Sequence, residues 1–233
     1  MRLKITKNQF KAIAAVSMLL DHIGVGIFPE YSIFRILGRI AFPAFAYALY
    51  EGSHYTSNKI KYFCRVFILG ILCMLVYYIY THEIYGNVLI TFSMSLLILY
   101  GIRYLKENMR QSICKCLTGM IFVSVVLLFA FVICSAVYID YGFAGVLLPC
   151  FAEIFHGKQY NSELLSIVGF SAGILLLAVN YGGVQYYSLL TIPLLFLVDH
   201  NRYEKNSYKY FFYVFYPLHL VLIEGISHLS EYL

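Results

Sequence analysis

Asp21 and His22 stand inside the first apolar stretch of the chain, and Arg35 and Arg39 stand inside the second. An ionisable side chain at membrane depth costs about 2.5–3.5 kcal/mol on insertion scales, so such groups usually face a bundle interior and carry a task. An imidazole supplies a general base or a nucleophile, and guanidinium groups stabilise negative charge that develops in a transition state. The other apolar stretches read as nearly free of charge. Chemistry is therefore expected at this cluster.

Asp21 and His22 are neighbours, about 100° apart around a helix, so they do not face the same partner. Asp21 is expected to pair with Arg35 or Arg39, leaving His22 turned into a cavity. The plain alternative is a structural ion pair that only clamps the first two spans. With a rise of about 1.5 Å per residue, His22 lies roughly 20 Å from the inner end of its span. The second span runs back inward, which puts Arg39 at nearly the same level, one turn below Arg35 and on the same face.

Elements that cross lipid must hold these residues. The chain of 233 residues is 61% hydrophobic and 12% charged, with a mean hydropathy of +0.75. A soluble domain carries about 25% charged residues, so lipid must be the solvent for much of this surface. The apolar runs are continuous and about 17 to 20 residues long, as helical spans require and barrel strands do not. The fold expected is an all-α, polytopic membrane helix bundle forming one integral membrane domain over residues 1–233. Nine spans are expected, near Asn8–Phe28, Ser32–Glu51, Tyr62–Tyr80, Asn87–Leu105, Ile113–Val137, Gly142–Phe155, Leu164–Asn180, Gly183–Val198 and Tyr210–His228. The sixth is short and the eighth contains Pro193, so either is a candidate for a broken or re-entrant segment.

The net charge of +5 is distributed with a pattern. Arg2, Lys4, Lys7 and Lys11 precede or open the first span. Lys59, Lys61 and Arg65 follow the second, and Arg103, Lys106, Arg110 and Lys115 surround the connection of the fourth and fifth. Lys158, Arg202, Lys205 and Lys209 fall in later connections of the same parity. Under the positive-inside rule the N-terminus is cytoplasmic. Loops this short and scattered exclude a nucleic-acid surface. The basic start resembles a signal peptide, but Asp21 and His22 interrupt its apolar run and no cleavage site follows, so an uncleaved first span is expected. The six cysteines form neither a disulfide framework nor a zinc motif, and no metal is expected.

A second polar group, Glu51-Gly-Ser-His-Tyr-Thr-Ser-Asn58 followed by Lys61 and Arg65, lies at the inner face. It offers Thr56, Asn58 and basic side chains to an anionic ligand, and Arg65 presents a fork suited to phosphate. An ordinary positive-inside loop is the alternative. Asp140 and Tyr141, in an outer connection, are placed to cap the first cluster. Asn87 to Thr91 opens the fourth span. In the last span Pro217 frees a backbone carbonyl beside His219, near the midplane, with Glu224 higher.

On Met18-Leu-Leu-Asp-His-Ile-Gly24, Arg35-Ile-Leu-Gly-Arg-Ile-Ala-Phe-Pro43, Glu51-Gly with Thr56, Asn58, Tyr62 and Arg65, Asp140-Tyr-Gly, and Phe215-Tyr-Pro-Leu-His219, the sequence resembles the TraX family of integral membrane proteins. That family is associated with N-terminal acetylation of conjugative pilin. The resemblance spans nearly the whole chain and implies acetyl transfer from acetyl-CoA in a bacterial cytoplasmic membrane. It also implies a looser kinship to multi-span acyltransferases that acetylate sugars across membranes. His54 departs from the family pattern, and no residue of the chain indicates a pilin, so the acceptor stays open among a peptide amine, a sugar hydroxyl and a lipid headgroup.

Joined to the residues, the resemblance gives a scheme. Glu51, Thr56, Asn58, Lys61 and Arg65 receive the nucleotide end of acetyl-CoA. His22 acts as general base or takes the acetyl group itself, and Arg35 or Arg39 holds the oxyanion. Asp21 fixes an arginine, His219 is the reserve base, and Arg35, Asp140 and Tyr141 meet the acceptor. A proton-coupled transporter also places Asp, His and Arg at mid-membrane, although the inverted repeats common in transporters are not visible. A non-catalytic membrane assembly protein is the third class.

Overall fold

The structure, a computed structural model, describes residues 4–109, 111–157, 162–199 and 211–231, without the side chains of 211–213, 224 and 227–231. Among these residues the chain forms α1 (Lys7–Gly26), α2 (Ser32–Gly38), α3 (Ala41–Tyr55), α4 (Lys59–Thr81), α5 (Val88–Asn108), α6 (Ile113–Ala136), α7 (Gly142–Phe155), α8 (Ser162–Tyr181), a 3-10 helix (Gly183–Leu190), α9 (Thr191–Leu197) and α10 (Phe211–Glu231). The fold is all-α. Five stretches, Ser32–Tyr55, Lys59–Thr81, Val88–Asn108, Ile113–Ala136 and Ser162–Tyr181, are long and apolar enough to cross a membrane.

Helix starts follow from local chemistry. Thr6 caps α1 by accepting from the Gln9 amide, while the Gln9 side chain accepts from the Thr6 amide, a reciprocal capping box. Asn58 and Asn87 cap α4 and α5 in the same way, each side-chain oxygen accepting an amide of the first turn. Outward faces are apolar. On α6, for example, Ile121, Val125, Leu128 and Val132 are all more than half exposed, a pattern that suits lipid and not water.

Two expected spans are interrupted. The second, expected as one helix from Ser32 to Glu51, turns at Arg39 and Ile40 and then continues to Tyr55. Pro43 explains the break: it has no N–H for the Arg39 carbonyl, and its ring crowds the residue four before it. The helix also runs through Gly52, where the sequence suggests an end. The eighth span divides into the 3-10 helix and α9. Gly182 and Gly183 both take left-handed backbone, at φ 65° and 51°, and a Cβ at either position would meet no atom within 4 Å. Conformation therefore calls for glycine here, because side-chain-bearing residues resist this region. Pro193 sits in the first turn of α9, where its missing N–H breaks no helical bond. Pro149 and Pro217 lie inside α7 and α10, which continue past them.

The chain divides into two compact units, one formed by Met1–Phe45 with Ala178–Leu233 and the other by Ala46–Leu177. In the first, α1 packs against α2 and α10, and the 3-10 helix packs against α2 and α9. A parallel bridge joins Ile5 to Val198, and Lys4 pairs with Asp199 at 3.5 Å. In the second, α5 is the central post, packed by α4, α6 and α7. A parallel bridge between Gly86 and Ile139 ties the connections before α5 and α7. Arg2, Arg110, Lys158, Arg202, Lys205, Lys209, the rest of the polar connection after Asp199, and the Glu224 side chain lie outside the described residues.

Candidate functional site

The first unit gathers the polar residues of α1, α2, the 3-10 helix and α10. Gly38 lets α2 approach α1 closely, since a Cβ there would lie 2.7 Å from the Asp21 Cα. At that crossing Arg39 Nη2 donates to both Asp21 oxygens, at 2.6 Å to Oδ2. Arg35 Nη1 stands 3.1 Å from Asp21 Oδ1. Both arginines thus reach one carboxylate. Arg39 holds two further acceptors: its Nε donates to the Arg35 carbonyl at 3.4 Å and its Nη1 to Gln185 Oε1 at 3.2 Å. A half-buried guanidinium held in this way is a fixed post. Arg35, with about a third of its side chain exposed, is the arginine better placed to meet a ligand.

His22 faces the other way. Its ring meets the His219 ring edge to face, centroids 5.0 Å apart and planes at 61°. His219 stacks on Phe215 and touches Tyr216. Its Nδ1 lies 2.7 Å from the Phe215 carbonyl oxygen, and because a carbonyl only accepts, Nδ1 carries the hydrogen. That fixes the tautomer. In the neutral ring Nε2 is then the acceptor; it is buried and has no hydrogen-bond partner among the described residues. The Gln185 Nε2 and Ser188 Oγ atoms of the 3-10 helix share that condition. A buried polar group without a partner costs about 1–3 kcal/mol. Three such atoms belong to the first unit.

The second unit holds a polar cluster within the spans that read as nearly free of charge. Glu153 of α7 is 1% exposed and Arg103 of α5 is 9% exposed, so Arg103 is a buried ion-pair residue and not a solvated loop charge. Arg103 Nη2 donates to Glu153 Oε2 at 2.8 Å and to Ser53 Oγ at 3.0 Å, and Nη1 donates to the Ser53 carbonyl at 2.9 Å. His54 Nε2 lies 2.9 Å from the same Glu153 oxygen. Lys106 Nζ donates to the carbonyls of Glu153, Ile154 and His156, closing the C-terminal end of α7. Tyr50 Oη, Ser166 Oγ and His156 Nδ1 form a triangle with sides of 3.0 to 3.1 Å. Burial first, and then the neighbouring His54, hold the His156 imidazole below its ordinary value. The network joins α3, α5, α7 and α8, and most of its donors are engaged internally.

The remaining expected residues are placed as follows. Asn58 Oδ1 accepts from the Lys61 amide at 2.8 Å, and Thr56 Oγ1 donates to the Asn58 carbonyl at 3.3 Å, so both shape the start of α4. Lys61 is exposed, whereas Glu51 and Arg65 are half-buried. In the second unit the Asp140 carboxylate accepts from Tyr85, and its carbonyl accepts from Thr91 Oγ1 at 2.7 Å. Tyr141 precedes α7 in left-handed backbone, φ 59°. Gln185, Ser188, His54, Arg103, Glu153 and His156 form sites that reading the sequence did not assemble. A lone glutamate within the apolar run Gly142–Phe155 was the available signal for one of them.

Comparison with known proteins adds the family context. The profile of the family described as TraX protein matches residues 6–227. The chain is 25% identical over 245 residues to the probable fimbrial assembly protein FimC, serogroup H1, of Dichelobacter nodosus, covering 92% of this chain and 93% of that one. It is 28% identical over 169 residues to an uncharacterized protein of Rickettsia prowazekii, covering 72% of this chain and 63% of that one. No solved structure matches.

Proposed function

The chain belongs to the TraX protein family, and from that membership and the first unit's geometry we propose that it is a membrane-embedded acetyltransferase. In this reading it crosses the bilayer as about nine segments with a cytoplasmic N-terminus. It moves an acetyl group from cytosolic acetyl-CoA to an amine or hydroxyl acceptor at or beyond the membrane. The observation that carries the reading is the meeting of His22 and His219, with the His219 tautomer set by the Phe215 carbonyl.

His219 Nε2 is the base that removes a proton from the attacking amine or hydroxyl. His22 is the imidazole at which the acetyl group is received, directly beside that base. Asp21 does not orient an imidazole: it holds Arg39 rigid and draws Arg35 to the same carboxylate. Arg35 meets the charged or polar part of a substrate. Arg65 and Lys61 favour the phosphates of the donor by charge. Burial of the imidazole pair strengthens each electrostatic contact relative to water.

The test is direct. Purified protein in lipid nanodiscs is incubated with labelled acetyl-CoA, and CoA release, label on histidine and acetylated products are followed. The expected result is CoA release that is lost in His22→Ala with folding intact. Wild-type turnover in His22→Ala removes this histidine from the mechanism. Proton-dependent solute flux into liposomes without any CoA would support transport instead.

A further inference from the structure

We propose that Gln185 is a catalytic residue of this site: its carboxamide N–H groups, with the Ser188 hydroxyl, receive the oxyanion formed at the acyl carbonyl. The inference rests on the acetyl-transfer reading and assigns that reading a residue that charge alone does not disclose.

The direction of the amide follows from its partner. A guanidinium only donates, so the Gln185 atom 3.2 Å from Arg39 Nη1 must be the oxygen. The NH2 group therefore points away from Arg39. Gln185 is 5% exposed and Ser188 is fully buried, yet Gln185 Nε2 and Ser188 Oγ find no partner among the described residues. Residues three apart on a 3-10 helix are eclipsed, so both groups lie along one edge of Gly183–Leu190. The result is a pair of buried donors held by a chain of contacts from Asp21 through Arg39 to Gln185. Arg39, one of the two arginines expected to stabilise the oxyanion, is committed to Asp21, Gln185 and the Arg35 carbonyl. It positions the donor and does not serve as one.

The step balances as follows. The unprotonated His22 nitrogen forms a bond to the thioester carbonyl carbon. The carbonyl π pair moves to oxygen, where Gln185 Nε2–H and Ser188 Oγ–H donate to it. The tetrahedral species collapses, the C–S bond breaks, and the thiolate leaves with the remaining N–H proton of the His22 ring. The acceptor then attacks the acetyl carbon, the same donors receive that oxyanion, and the C–N bond to His22 breaks as the ring nitrogen takes the proton that His219 Nε2 removed from the acceptor. Donors placed in advance for such an oxygen contribute a factor of about 10²–10³ in kcat each.

The test uses full-length protein in nanodiscs with labelled acetyl-CoA and hydroxylamine as a generic acceptor, read as acetohydroxamate above the uncatalysed rate. Gln185→Leu should lower kcat about 100-fold or more and leave the KM for acetyl-CoA within about twofold. Gln185→Glu serves as the control for folding, since its carboxylate still accepts from Arg39 but offers no N–H. It should melt like wild type and share the loss. Ser188→Ala should fall about 100-fold. Unchanged kcat in a folded Gln185→Glu protein overturns the assignment while His22→Ala remains inactive, which leaves the acetyl-transfer reading standing. Absence of hydroxamate from the wild type overturns both together.

Discussion

Gly38 of α2 lies directly against Asp21 of α1, with space for a hydrogen and none for a methyl group. This contact brings the carboxylate within reach of both arginines. Replacing Gly38 by Ala should push the two helices apart and cost about 1–3 kcal/mol of stability, the usual range for overpacking. Acetyl transfer should fall with it, because Arg39 loses its anchor and Gln185 loses its own. Thermal melting in detergent and turnover of labelled acetyl-CoA check both effects; wild-type values for Gly38→Ala would mean the crossing is looser than described.

The two histidines should separate in a labelling experiment. His22→Ala should accept no label. His219→Ala should still take the acetyl group onto His22 but pass it to an acceptor about 10²–10⁴-fold more slowly, the range for loss of a general base. No label on His22 in either the wild type or His219→Ala would point to direct attack by the acceptor, with no acyl-histidine.

Glu153→Leu alone should destabilise the second unit by about 3–5 kcal/mol, because Arg103 would keep its charge in a buried site without its counter-ion. The double variant Glu153→Leu/Arg103→Leu should recover most of that loss. Melting temperatures of the singles and the double complete the cycle. Additive losses would show that the pair is not energetically coupled.

His156 supplies a pH dependence whose sign is fixed. Its folded-state value lies below the ordinary 6.5, through burial and His54, with Glu153 opposing. The unfolded chain therefore binds the proton first as pH falls. Stability should be fully present above about pH 6.5 and decline as the medium is acidified toward the folded value, then level off. His156→Gln should flatten that slope between pH 7 and 5 in unfolding measurements. An identical slope in the variant would assign the titration to another group.

Arg65→Ala should raise the KM for acetyl-CoA more than it lowers kcat. Steady-state kinetics over a range of donor concentrations decide this. An unchanged KM removes Arg65 from donor binding.

Much of the first unit was legible in the residue order. Ionisable groups are rare at depth, and counting the rise along two antiparallel helices puts Asp21 and Arg39 at one level, where the structure pairs them. The break at Arg39–Ile40 was also written in the chain, as Pro43 four residues on. Gln185 was not, since an uncharged amide in a tyrosine-rich segment carries no penalty large enough to draw notice. Its importance arises from a 3-10 geometry that follows two consecutive left-handed glycines. Arg103 and Lys106 look alike beside a basic loop, and only packing shows that one meets Glu153 while the other closes a helix end. His54 lay within a polar run whose other members, Thr56 and Asn58, turn out to shape the start of α4.

The bridge between Ile5 and Val198 joins segments far apart along the chain. As the ribosome delivers the chain, Asp21, Arg35 and Arg39 emerge before Gln185 and His219 and can associate as an ion-paired hairpin. Gln185 and His219 follow only after more than a hundred further residues. A nascent chain halted before Gln185 would hold the ion pair without the amide or His219, so the polar cluster of the first unit is complete only once those later segments have joined α1 and α2.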